Sequence, residues 1–215
     1  EMDSNETVWN LKKILTTKET WLLIFSWGLI YLMMTGIMSQ LIPRFLDVGM
    51  TIDQALGLMA VAAILGMPMS YIWGWLDDKI STPKTCIVFA LVYVVSSACF
   101  IFASAENMMF AYFGVFTIAL TTGGMPNLQP SLQAWVYGRK DYINTNRYIG
   151  IGHMVLRSLG FTLMGMAYAR YGTYTPIYVF FVVLAIITAI LFSMIKVTYD
   201  PERIKLMNEE KSVNL

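Results

Sequence analysis

Residues 148–168, YIGIGHMVLRSLGFTLMGMAY, form an apolar run that carries a permanent positive charge, Arg157, near its middle. A helix needs about 20 predominantly apolar residues to cross a bilayer, so this run is long enough to span one. A mid-span arginine costs roughly 2.5–3.5 kcal/mol on insertion scales, and it is tolerated where it faces a polar cavity or a partner rather than lipid. The other spans are therefore expected to be arranged around it.

The remainder of the chain agrees with a membrane setting. Its 215 residues are 57% hydrophobic and 13% charged, with a mean hydropathy of +0.58. A soluble domain has about 45–50% apolar and about 25% charged residues. Five further runs are long enough to cross: 21–42, 54–75, 85–103, 108–130 and 176–195. The expected fold is all-α and integral to the membrane, a bundle of six transmembrane helices. Residues 1–20 are a lead-in, 21–195 the six-span unit and 196–215 a charged tail. Val8, Leu11 and Leu15, flanked by Trp9, make the lead-in either a short amphipathic helix suited to the membrane surface or a solvated stretch.

Lysine and arginine accumulate in cytoplasmic segments. Lys12, Lys13, Lys18, Lys79, Lys84, Arg139, Lys140, Arg147, Lys196, Arg203, Lys205 and Lys211 fall on one side, with only Arg44 and Arg170 opposite. Both termini are thus expected in the cytoplasm, with the bundle in the plasma (inner) membrane. All 14 carboxylates lie outside the six runs, which leaves Arg157 and His153 as the ionisable groups at depth besides Tyr and Cys. A net charge of +1 without a basic, aromatic-interleaved patch gives no reason to expect nucleic acid. Cys86 and Cys99, 13 residues apart in one helix, are about 20 Å apart and cannot pair.

Within the spans, small and polar residues mark the faces where helices approach. Gly28, Tyr31, Thr35 and Ser39 recur at helical spacing in the first span. In the second, Gly66 and Pro68 predict a bend. The third, rich in Val and Ala, reads as an outer, supporting helix. In the fourth, TTGGMPNLQPSLQAW over 121–135, paired glycines and two prolines predict an interrupted helix, exposing Asn127, Gln129 and Gln133 toward a cavity or a packed neighbour. The fifth puts His153 and Arg157 one turn apart on a face with Gly160 and Met164. Tyr174 and Tyr178 read as interface anchors for the sixth.

No run contains an acid, so a structural role for Arg157 is a pairing with backbone carbonyls or with a carboxylate outside this chain, and a functional role is contact with a ligand or an ion path. A guanidinium binds a carboxylate through two parallel hydrogen bonds, which suits an organic anion. His153 reads either as a hydrogen-bonded packing residue or as a proton handler. Catalysis is not expected: a single histidine excludes an HExxH zinc site, no aspartate lies at depth for an aspartyl protease, and GxSxG is missing. No cofactor is expected.

The stretch GWLDDKISTPK, 74–84, resembles the signature between the second and third helices of each half of major facilitator superfamily transporters. Gly74, Asp78, Lys79 and Lys84 match it, and Ser81 stands where a second glycine is usual. PSLQAWVYGRKDYINTNRYIG, 130–150, resembles the junction of the tenth and eleventh helices in the oxalate/formate antiporter and monocarboxylate transporter branches, and TTKETWLLIF, 16–25, the start of the seventh. The resemblance implies the C-terminal half of a secondary transporter, built of two inverted three-helix repeats. The substrate cavity would then lie between it and a missing N-terminal six-helix half. It further implies alternating-access transport of a small solute, with a carboxylate held by Arg157. His153, Asn127, Gln129, Tyr31 and Thr35, polar residues of the spans themselves, are the expected substrate-binding residues beside it. Gly74, Asp78, Lys79, Lys84 and Arg139 would form a cytoplasmic gate, Asp78 pairing with Arg139. Antiporters of this branch also carry a basic residue in the eighth helix, and the second span here has none. The alternative is a self-contained six-span protein acting as a homodimeric channel or a structural membrane component.

Overall fold

In the computed structural model, residues 9–139 and 141–197 are described. They form eight helices: α1 Leu11–Thr16, α2 Lys18–Ser39, α3 Leu41–Asp47, α4 Ile52–Ile80, α5 Thr82–Phe102, α6 Met108–Tyr137, α7 Tyr142–Tyr171 and α8 Thr175–Met194. All but α1 and α3 are long and apolar enough to cross a membrane. The chain is an all-helical, membrane-embedded protein. The acidic residues of the extreme N-terminus and nearly all of the tail lie outside the described residues.

Local chemistry explains the helix ends. Thr51 opens α4 with a capping box: its hydroxyl accepts from the Gln54 N–H at 3.3 Å, while the Gln54 side chain accepts from the Thr51 N–H at 2.9 Å. Gly138 closes α6 at φ +88° and Gly172 closes α7 at φ +64°, left-handed conformations that glycine adopts at little cost.

Several sequence expectations are corrected. Residues 121–135 lie wholly inside α6, so Pro126 and Pro130 do not interrupt it. The signature at 74–84 is hardly a loop: α4 runs to Ile80, only Ser81 separates it from α5, and Asp78 and Lys79 ride on the last turn of α4. Nor is α5 a bland outer helix, since its Phe89, Tyr93 and Phe100 are fully buried against the bundle. Tyr174 and Tyr178 are buried rather than anchored at an interface: Tyr178 stacks on Phe100 at 5.2 Å, and Tyr174 donates to Gln40 at 2.9 Å. In α1, Leu11 and Leu15 are exposed as expected, but Ile14 and Trp9 turn inward, Trp9 meeting Tyr137 edge-on at 4.7 Å.

In a bilayer, lipid tails are as apolar as leucine, so helices associate through close packing and hydrogen bonds. Here α2 packs along α7 and α8, α6 along α4 and α5, and α5 along α8. Two seams come closest. A Cβ on Gly160 of α7 would strike the Leu32 carbonyl and the Thr35 hydroxyl of α2, and a Cβ on Gly123 of α6 would strike the Gly66 carbonyl of α4. Of the other small residues of α7, Gly152 packs on Ile24, whereas Gly150 and Gly165 face open space. The burial that results is uneven. In their most apolar windows α2 is 67% buried and α6 50%, against 11% for α4 and 22% for α7.

Candidate functional site

The α2–α7 seam brings four of the expected site residues together. Tyr31 of α2 stacks on His153 of α7, ring centroids 4.8 Å apart and planes inclined by 17°. Gln129 reaches in from α6: its Oε1 accepts from the Tyr31 hydroxyl at 2.5 Å, and its Nε2 lies 3.1 Å from His153 Nε2. The Arg157 guanidinium carbon sits 5.5 Å from the Tyr31 ring centroid, in cation–π range. Glycine contacts make this possible, because the rings of Tyr31 and His153 meet only if the two backbones run close.

Within the cluster the groups have different freedom. His153 is only 7% exposed, and its Nδ1 is buried without a hydrogen-bond partner. Arg157 is exposed, at the midpoint of α7. Its guanidinium has no hydrogen-bond or ion-pair partner among the described residues and rests only over Tyr31. Thr35 takes a packing position: its hydroxyl donates to the backbone carbonyl of Arg157 at 2.9 Å and to that of Tyr31 at 2.8 Å. Hence Thr35 holds the Arg157 backbone and leaves the side chain unengaged.

Asn127 stands apart. Its Nδ2 donates to the Ser70 carbonyl and hydroxyl, both at 2.8 Å, tying α6 to α4. It lines a cavity of about 570 Å³ with Ser70, Tyr71, Gly74 and Asp78. Gln133 is wholly buried in α6, with neither amide atom hydrogen-bonded.

The expected gate residues lie toward the C-terminal ends of α4 and α6 and at the start of α5. Asp78 and Arg139 line one cavity of about 510 Å³, without an ion pair between them. Asp77 makes the tighter contact, accepting from the Ser131 hydroxyl at 2.5 Å while its other oxygen is buried without a partner. Lys79 lies over the Trp75 ring at 4.7 Å, Lys84 is exposed, and Gly74 has no atom within 4 Å of where a Cβ would stand.

Sequence reasoning missed Asp77, Ser131 and Arg44. Arg44 is buried rather than a loop charge: it pairs with Asp47 at 2.8 Å and donates to the Phe100 and Ala103 carbonyls at 2.9 and 2.8 Å, capping α5. The Arg44–Asp47 spacing of three residues was the available signal. For Asp77 there was none, because two adjacent aspartates look alike until a neighbouring helix selects one.

The seam thus offers a cation, an imidazole, a phenol and an amide on one wall, a donor-rich set suited to an anion. No protein-family model matches the chain, and no curated protein matches it at a significant level.

Proposed function

We propose that this six-span bundle is one half of a major facilitator-type secondary transporter that moves a small organic anion by alternating access, with Arg157 as the cation that meets the solute. The observation that carries this reading is the unengaged guanidinium at the midpoint of α7, exposed on the bundle's surface with no acid near it. In lipid that position is costly. Facing an aqueous cavity, it costs far less and attracts a carboxylate.

Two features of the packing support the half-transporter architecture. Exchanging the first three spans for the last three leaves the main pairings unchanged: α2 with α7 becomes α6 with α4, α2 with α8 becomes α6 with α5, and α5 with α8 maps onto itself. Because each set holds an odd number of spans, the second starts from the opposite side of the membrane, as inverted repeats do. The middle helix of each set, α4 and α7, is also the least buried. A companion six-span unit against these two helices would enclose a cavity walled by Arg157, His153, Tyr31 and Gln129. Asp78 and Arg139 share a cavity at the end where α4 meets α5, which supports a gate in which they pair in one state and part in the other. Cytoplasmic termini follow from the lysine and arginine distribution.

The test is uptake of labelled carboxylates by the full-length protein in proteoliposomes. Arg157→Gln is expected to lower uptake at least tenfold with unchanged membrane abundance, and Arg157→Lys to retain part of it. Undiminished uptake in Arg157→Gln removes Arg157 from the site. Ion conductance by a dimer of this chain, without solute uptake, replaces the transporter with a channel.

A further inference from the structure

Tyr31, Gln129 and His153 form a chain of hydrogen bonds whose direction is set by one amide. With the Tyr31 O–H donating to Gln129 Oε1, the Gln129 NH₂ faces His153 Nε2. An NH₂ group only donates, so Nε2 must accept, and the neutral ring carries its proton on Nδ1. Protonating His153 places an N–H on Nε2 as well, and two donors then confront each other across 3.1 Å. The conflict is relieved without moving a helix when the amide turns over. Oε1 then accepts from His153 Nε2–H, the NH₂ donates to the Tyr31 oxygen, and the Tyr31 hydrogen loses its acceptor.

We propose that the Gln129 amide is a switch that couples protonation of His153 to anion binding at Arg157, a proposal that rests on the anion reading above. One proton passes from water to His153 Nε2, no covalent bond to carbon changes, and the ring goes from neutral to cationic. The freed Tyr31 O–H becomes a donor beside the Arg157 guanidinium, which already lies over the Tyr31 ring. An anion there gains a hydrogen bond and a second nearby positive charge. It also relieves the repulsion between His153 and Arg157, so the two events favour each other by linkage.

Arg157, one turn along α7, is the charge that acts on His153, and Tyr31 is the titratable group facing it from α2. From α6 it meets the neutral Gln129. The titratable group of α8, Tyr178, lies beside Arg44, and α1 carries Lys12 and Lys13, the latter over Trp9. No carboxylate among them competes for the proton.

His153 is the one histidine of these 215 residues, and in the full-length protein in nanodiscs its ring ¹⁵N resonances are identified as those lost in His153→Gln. The neutral ring is expected as the Nδ1–H tautomer. Tyr31→Phe, which removes the donor that orients the amide, is expected to mix the tautomers, and so is Gln129→Leu. Acetate, titrated as the probe anion, is expected to bind about tenfold more tightly with His153 protonated. That gain is lost in Tyr31→Phe and His153→Gln, while Arg157→Gln weakens acetate at every pH. An Nε2–H tautomer in the unaltered protein, or one tautomer persisting in both variants, overturns the switch alone. Acetate affinity independent of pH, with binding intact, overturns the coupling. No acetate binding at any pH, with the Nδ1–H tautomer present, overturns the anion site and the coupling with it.

Discussion

The seams α2–α7 and α4–α6 are built alike and equipped differently. Each closes by setting a glycine on a backbone carbonyl of the facing helix, Gly160 on Leu32 and Gly123 on Gly66. Each adds a hydroxyl or amide donating to a backbone carbonyl across the gap, Thr35 to Arg157 and Asn127 to Ser70. Yet the first carries a guanidinium, an imidazole and a phenol, while the second is flanked by an apolar recess of about 470 Å³ lined by Met38, Met59, Met67 and Pro126. The contrast teaches that packing and chemistry are separable here. Backbone approach is duplicated, whereas a charge at mid-span is placed once, the Asp77 of the second seam lying at the end of α4.

The largest effects should come from the glycines that the seams share. Gly160→Val and Gly123→Val each force a branched side chain into a backbone carbonyl, at about 1–3 kcal/mol or more. Thermal unfolding in detergent should fall by similar amounts for both, and a large loss in only one would break the likeness. Next come the cross-seam bonds. Thr35→Val and Asn127→Ala should each cost about 0.6–1.7 kcal/mol, as inter-helix hydrogen bonds in membranes do. Only Thr35→Val should weaken acetate binding, since it alone frees the Arg157 backbone; equal effects on acetate would mean the second seam also shapes the site. The smallest effect should be that of Gly74→Ala. Nothing stands within 4 Å of the new methyl, so unfolding should be unchanged within about 0.5 kcal/mol. Reduced uptake in that stable variant would sharpen the comparison, by locating a contact that this bundle alone does not make.

Much of the site was legible because rare residues at depth are informative. Arg157, His153 and Gln129 stood out as polar groups in apolar runs, and the structure brings all three together with Tyr31. Asn127 had the same signal and lies elsewhere, since two positions on α6 place its side chain on the face toward α4 instead of α2. Proline and glycine misled at 121–135: a long apolar segment in lipid remains helical when its neighbours can accommodate the freed carbonyls. The third span looked bland because Val and Ala dominate it, though Phe89 and Tyr93 are fully buried and Ser96 donates to the Gly114 carbonyl of α6.

The sequence alone determined that six segments are long and apolar enough to cross a membrane and that a lone arginine sits halfway along the fifth. Length and hydropathy suffice for the first, and the absence of acids at depth for the second. Which helices meet, which glycines are needed and which way Arg157 points were decided only by tertiary structure. A few small and polar residues mark an approach face on otherwise apolar spans, but they do not tell which neighbour that face meets. The choice of face comes from backbone approach and side-chain shape, and these exist only once the helices are in contact.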